Sequence, residues 1–116
     1  MKKLVSIAII YWNGEKYLYK CIKSLLDQNY KNIEVIIIDN DSSDNSVKII
    51  EDNFKNDVIL YKNKNTGYAG GANKGIELSK GDYEIKANPD IVFGENYIEN
   101  CIKKFEEDAT LGGVTG

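Results

Sequence analysis

The feature that most restricts the fold is the run Val35-Ile36-Ile37-Ile38-Asp39-Asn40-Asp41-Ser42-Ser43-Asp44. Four β-branched apolar residues in unbroken succession suit a parallel strand buried on both faces. The polar residues after them are turn formers, too few for a helix, and predict a loop at the strand's C-terminal end. In open α/β sheets ligands bind outside those carboxyl ends. Asp39 stands at the strand tip, where a carboxylate can point into such a crevice. The same residues also read plainly as structure, with Asp39 and Asp41 as turn residues and Ser43 or Asp44 as the cap of the next helix.

The rest of the chain alternates in the same way. Val5-Ser6-Ile7-Ala8-Ile9-Ile10-Tyr11 predicts a first strand, ended by Trp12-Asn13-Gly14. Asn13 is expected to cap the following helix, with Glu15 in its first turn. Tyr17, Leu18, Cys21, Ile22, Leu25 and Leu26 form the apolar stripe of a helix packed on a sheet. A second helix over 45–54 turns Val47, Ile50 and Phe54 inward. Val58-Ile59-Leu60-Tyr61 is a third strand, 62–71 a loop rich in glycine and asparagine, and a weaker third helix carries Ala72, Ile76 and Leu78. Residues 83–87 form a fourth strand, followed by Asn88-Pro89-Asp90. A helix over 95–107 buries Tyr97, Ile98, Cys101, Ile102 and Phe105, and 111–116 reads as the start of another strand. Strictly alternating strands and helices predict one α/β domain over 1–116: a parallel sheet with right-handed crossovers and helices on both faces, a three-layer sandwich.

Composition narrows the chemistry. The 116 residues suffice for one domain with a real core. Lys+Arg is 15 against Asp+Glu 18, a net charge of -3, which argues against a general nucleic-acid binder. No apolar run is long enough to span a bilayer, and Met1-Lys2-Lys3 leads into a strand rather than a signal peptide, so a cytoplasmic location is the default. Cys21 and Cys101 fall on apolar helical positions and are expected to be buried free thiols. The absence of histidine removes Ser-His-Asp and Cys-His catalysis and argues against a typical zinc site.

The predicted strand ends open on one rim. They bring together Tyr11, Trp12 and Asn13, then Asp39 and Asp41, then Asn88 and Asp90. An aromatic face, a carboxylate that accepts from a base N–H and a second acid for a metal suit a nucleotide. Asn88-Pro89-Asp90 sets two oxygen-bearing side chains about a residue of fixed φ. Hard cations such as Mg²⁺ and Mn²⁺ take such oxygens together with substrate phosphates. A simple turn is the plainer reading of Asn-Pro-Asp. Gly67, Gly70 and Gly71 permit close backbone approach beside a helix N-terminus that favours anions, but the run matches neither the P-loop nor the dinucleotide fingerprint.

Taken together, these motifs resemble the nucleotide-sugar half of the inverting family 2 glycosyltransferases of the GT-A fold, in a truncated form. The resemblance rests on Trp12-Asn13-Gly14-Glu15, Ser24-Leu25-Leu26-Asp27-Gln28, Ile38-Asp39-Asn40-Asp41-Ser42-Ser43-Asp44, Asn65-Thr66-Gly67-Tyr68-Ala69, Asn73-Lys74-Gly75, Gly81-Asp82-Tyr83 and Asn88-Pro89-Asp90, in that order. It implies a nucleoside pocket at Tyr11, Trp12, Asn13, Asp39 and Asp41, and a diphosphate or base border at Gly67, Gly70 and Gly71. Asn88-Pro89-Asp90 falls where the family's metal-binding Asp-x-Asp lies, a variant shared with rhamnosyltransferase-like members, so Asp90 would hold Mg²⁺ or Mn²⁺ with Asn88 beside it. The implied donor is a UDP- or dTDP-sugar and the acceptor a carbohydrate or lipid-linked hydroxyl. The implied general base lies beyond Gly116, and peripheral membrane association fits a full-length protein. Glu84 and Lys86 depart from the family's apolar strand at this place. A receiver-like signalling module with Asp39 as the modified aspartate is a weaker reading, because it wants an acidic pair where Tyr11, Trp12 and Asn13 stand. A purely structural α/β domain is the third.

Overall fold

Branched aliphatic residues build the centre of the sheet. β1 (Val5–Tyr11) and β2 (Ile33–Asn40) lie side by side, flanked by the shorter β3 (Ile59–Asn63) and β4 (Tyr83–Ala87). The order is β3-β2-β1-β4 and every pairing is parallel. Four helices alternate with the strands: α1 (Leu18–Leu26), α2 (Ser46–Phe54), α3 (Gly67–Leu78) and α4 (Tyr97–Glu107). The computed structural model describes residues 3–63 and 67–107, without the side chains of 67–69, 71, 72 and 107. The expected parallel three-layer sandwich is therefore the fold, and the strand expected over 111–116 lies outside the described residues.

Register separates the two faces. Ile7 lies between Val35 and Ile85, and Ile9 between Ile37 and Ala87. These side chains share a face with Val5 and Tyr11 and pack on Leu18, Cys21, Ile22 and Leu25 of α1, Ile50 and Phe54 of α2, and Ile98 and Ile102 of α4. Burying each such aliphatic side chain contributes about 1.5–3 kcal/mol, so this layer dominates stability. The opposite face carries Ala8, Ile36 and Ile38 and is covered by α3, whose Gly75 approaches so closely that a Cβ there would sit 3.4 Å from that of Ala8. Glu84 and Lys86 also point to this second face. Both are exposed, because α3 packs on β1 and β2 and leaves β4 uncovered.

Several expected details shift. α3 begins at Gly67, so Gly67, Gly70 and Gly71 belong to a helix and not to a loop. Each helical glycine costs about 1 kcal/mol relative to alanine, and propensity alone therefore predicts a later start. Packing of α3 on β1 and β2 overrides it. Ile76 of α3 is exposed. Val47, Tyr97, Cys101 and Phe105 are only half-buried, and the last three pack at the edge of the core, Phe105 stacked on Tyr83 with centroids 4.9 Å apart. α1 starts at Leu18 behind Tyr17, four residues later than a cap at Asn13 implies. Cys21 and Cys101 are free thiols as expected, Cys21 fully buried.

Candidate functional site

Tyr11 and Asp39 end adjacent strands as register partners, with both side chains on the face packed by α1 and α2. Both are 3 % exposed. Asp39 Oδ2 accepts one long hydrogen bond, 3.4 Å, from the Ser42 N–H. Asp39 Oδ1 and the Tyr11 hydroxyl are buried without a hydrogen-bond partner. Burial pushes the Tyr11 hydroxyl far above the usual tyrosine range. The neighbouring Ser46 hydroxyl opposes this and the charge of Asp39 adds to it. An unpaired buried acceptor costs about 1–3 kcal/mol. A pair of them at the carboxyl end of a parallel sheet is unfavourable unless a ligand uses them.

The loops above this pair are tied together. Asn13 adopts φ 51 and Asp41 φ 64, left-handed conformations that asparagine and aspartate tolerate better than most residues. The Asn13 N–H donates to Ser42 Oγ at 2.8 Å, and Asn13 Oδ1 accepts from the N–H groups of Ser43 (2.8 Å) and Asp44 (3.3 Å). Asn13 therefore does not cap α1, whose first turn closes instead on the Gly14 carbonyl. Its oxygen is occupied by the loop after β2, which only the fold brings within reach. Asp44 completes the tie: one oxygen accepts from Glu15 N–H at 3.0 Å, the other from the N–H and hydroxyl of Ser46 at the start of α2. Burial alone would raise its pKa, but these bonds hold the carboxyl below its ordinary value. The cap position of α2 is Asn45 rather than Ser43 or Asp44, and Asp44 reaches the first N–H of the helix from one residue before the cap. Trp12, 58 % exposed, stands free on the rim, and Asp41 is exposed beside it in the next loop.

Across β1, Asn88 and Asp90 follow β4 and are both exposed. Asp39 and the end of β4 are two strand spacings apart, roughly 10 Å, too far to share one cation. Asp90 makes no hydrogen bond or ion pair among the described residues, and its charge is felt at Cys21 of α1. There burial, then Asp90, push the thiol up to about 11. Among the described residues no three acids, cysteines or histidines converge as a self-sufficient metal cage. One free carboxylate with an amide oxygen beside it does fit Mg²⁺ or Mn²⁺ when phosphate oxygens complete the coordination. Gly67, Gly70 and Gly71 form the first turns of α3, which packs on β1 and β2, with the 64–66 segment outside the described residues. A surface cavity of about 430 Å³ lies between α2 and β3 and is lined by Ile50, Val58, Leu60 and Lys62, the last the register partner of Asp39.

Two roles were not read from the sequence. Asn13 works as a tie between loops, and Gln28, fully buried beyond the end of α1, binds the segment after β4. Gln28 was detectable in principle, since it continues the stripe of Leu18, Cys21 and Leu25, where a polar side chain must find partners.

The family model for "Glycosyl transferase family 2" matches residues 6–115. Glycosyltransferase GlyG of Streptococcus pneumoniae serotype 4 is 34 % identical over 118 residues, covering 97 % of this chain and 39 % of its own length. An Escherichia coli chondroitin synthase is 31 % identical over 113 residues, with 96 % and 16 % covered. The chain thus spans about two fifths or less of the length of these relatives. The solved structure of S. aureus TarS 1-349 in complex with UDP-GlcNAc superposes with a TM-score of 0.81 at 19 % identity, over 91 % of this chain and 32 % of that one. Mannosyltransferase PcManGT of Pyrobaculum calidifontis, in complex with GDP-Man and Mn²⁺, gives 0.80 at 16 % identity, over 89 % and 32 %. The GT-A fold is shared with both.

Proposed function

The chain belongs to glycosyl transferase family 2, and from that premise we propose that it is the donor-binding half of an enzyme that moves a sugar from a nucleoside diphosphate to an acceptor hydroxyl. The observation that carries this reading is the buried pair Tyr11 and Asp39, each with an unpartnered polar oxygen at the carboxyl rim of a parallel sheet. Asp39 accepts an N–H of the base, Trp12 offers an aromatic face, and Asp41 lies beside the ribose. The roughly 10 Å to the end of β4 suits an elongated ligand, with base at β2 and diphosphate at β4. Gly67, Gly70 and Gly71 border the same ligand through the N-terminal turns of α3, where unpaired N–H groups and the helix dipole favour anions.

Asp90, with Asn88 beside it, holds a divalent cation, Mg²⁺ or Mn²⁺, whose charge when bound offsets that developing on the departing diphosphate. A hydroxyl of a carbohydrate or lipid-linked acceptor attacks the anomeric carbon in line; the carbon–oxygen bond to the diphosphate breaks and the configuration inverts. The base that takes the hydroxyl proton lies outside the 116 residues in this proposal. The donor is a UDP- or dTDP-sugar. TarS in complex with UDP-GlcNAc supports a uridine donor, and the GDP-Man bound to PcManGT shows that the fold also accommodates guanosine. A cytoplasmic location and peripheral membrane contact of the whole protein belong to the same proposal. Among the described residues no helix is long and apolar enough to cross a membrane.

The signalling alternative is disfavoured by geometry. A receiver-like aspartate needs an acidic partner at the end of β1, and the register partner of Asp39 there is Tyr11. Calorimetric titration with UDP and dTDP, with and without Mn²⁺, tests the proposal. We expect binding between about micromolar and millimolar, strengthened by the metal, roughly -8 to -4 kcal/mol. Asp90→Ala is expected to abolish the metal enhancement and leave uridine binding intact. Absence of heat with every nucleotide, metal present, would overturn the assignment.

A further inference from the structure

The motif Ser24-Leu25-Leu26-Asp27-Gln28 has no place in the donor site, yet its side chains make three long-range hydrogen bonds to the segment after β4. Gln28 is 0 % exposed. Its Nε2 donates to the Ser24 carbonyl at 3.0 Å and the Gly94 carbonyl at 2.6 Å, and its Oε1 accepts from the Ile98 N–H at 3.0 Å. A single amide thus satisfies a carbonyl left open at the end of α1 and an N–H left open at the start of α4. Ser24 Oγ donates to the Cys21 carbonyl at 2.7 Å and accepts from the Phe93 N–H at 3.0 Å. Cys21 Sγ lies 3.6 Å from the Asn88 carbonyl, and the Asn29 N–H donates to the Glu95 carbonyl at 2.9 Å.

These bonds run along one face of α1 and just past its end, and meet the 88–98 segment at five points, Asn88, Phe93, Gly94, Glu95 and Ile98. The other end of α1 is tied to the loop after β2 through Asn13 and the Glu15 N–H. α1 is therefore a beam with the Asp39 loop fastened at one end and the Asn88–Asp90 segment fastened along its side. We propose that Ser24 and Gln28 are positioning residues that set where Asp90 stands relative to Asp39, and so tune how the cation and the diphosphate are gripped while leaving the nucleoside pocket alone. This rests on the donor-binding reading given above. Gln28 suits the task because an amide offers both donors and acceptor at once. Glutamate in its place would set a carboxylate against two carbonyls, and leucine would leave three buried groups unpaired.

The test is a pair of titrations on the whole protein, Mn²⁺ in the presence of UDP, and uridine alone. Ser24→Ala removes one hydroxyl and is expected to weaken the Mn²⁺ response roughly tenfold, as loss of a supporting partner does at metal sites. Uridine affinity is expected to stay unchanged, and Ser24→Thr, which keeps the hydroxyl, to restore the metal response. Gln28→Asn, shorter by one methylene, is expected to act in the same direction as Ser24→Ala with larger effect. If Gln28→Asn fails to fold, the Ser24 pair decides alone. Equal losses of uridine and Mn²⁺ binding would mean a merely structural role and overturn the inference, as would an unaltered metal response in Ser24→Ala. Lack of any Mn²⁺-enhanced UDP binding by the unsubstituted protein would instead sink the functional reading, and this inference with it.

Discussion

Replacing Asp39 by asparagine separates binding from stability. The carboxylate is 3 % exposed, holds one bond of 3.4 Å and leaves its other oxygen unpaired beside an unpaired Tyr11 hydroxyl. Asparagine keeps the shape, keeps an oxygen for the Ser42 N–H, removes the charge and offers an N–H to the tyrosine. Relief of one unpaired buried acceptor is worth about 1–3 kcal/mol, so Asp39→Asn should stabilise the free protein by that order. For a chain of this size each kcal/mol moves the melting temperature by about 4 °C, giving an upward shift of roughly 4–12 °C. The same change removes an ionised acceptor for a base N–H. A hydrogen bond to a charged group contributes about 1.5–3 kcal/mol, so uridine and UDP should both bind roughly 10- to 100-fold more weakly. Thermal melts by circular dichroism and uridine titration by calorimetry read the two effects independently. A variant that melts lower and binds uridine normally would refute the reasoning and return Asp39 to the role of a turn residue.

Two further outcomes follow from local geometry. Gly81→Ala would place a Cβ 2.5 Å from Ser6 Oγ, 2.7 Å from Ser6 N and 2.9 Å from the Leu4 carbonyl, breaking the Gly81 N–H bond to Ser6 Oγ. Chemical denaturation should show a loss of about 1–3 kcal/mol, the range for overpacking, and an unchanged midpoint would contradict the close approach. Stability should also decline in alkali. The Cys21 thiol rises from 9.0 to about 11 on folding, chiefly through burial, so the folded state holds a proton that the unfolded chain releases. Its contribution is complete below pH 9 and is lost as the pH climbs toward 11, at no more than about 1.4 kcal/mol per pH unit. Tyr11 acts in the same direction above pH 10. Urea melts of Cys21→Ala should lack the decline between pH 9 and 10, and a slope equal to the parent's would refute the assignment to Cys21.

The strands were legible because burial on both faces demands a local composition that nothing else in the chain has. Val5–Tyr11 and Tyr83–Ala87 match their sequence-based bounds, and the alternation of strand and helix settled the parallel sheet. The sequence likewise brought Tyr11, Asp39 and Asp90 to one rim, since strand ends of a parallel sheet share an edge. Tertiary structure alone decided which polar atoms are left without partners. Asp39 Oδ1 is unpaired and Asn13 Oδ1 is saturated, although both are oxygens on short side chains in turn-forming stretches. It also made a helix of a glycine run, by packing Gly75 on Ala8, and gave Gln28 its two helix ends to join. Periodicity and propensity act over a few neighbouring residues. Hydrogen-bond satisfaction in a buried place depends on groups tens of residues away, 70 in the case of Gln28 and Ile98, and those meet only once the chain has folded.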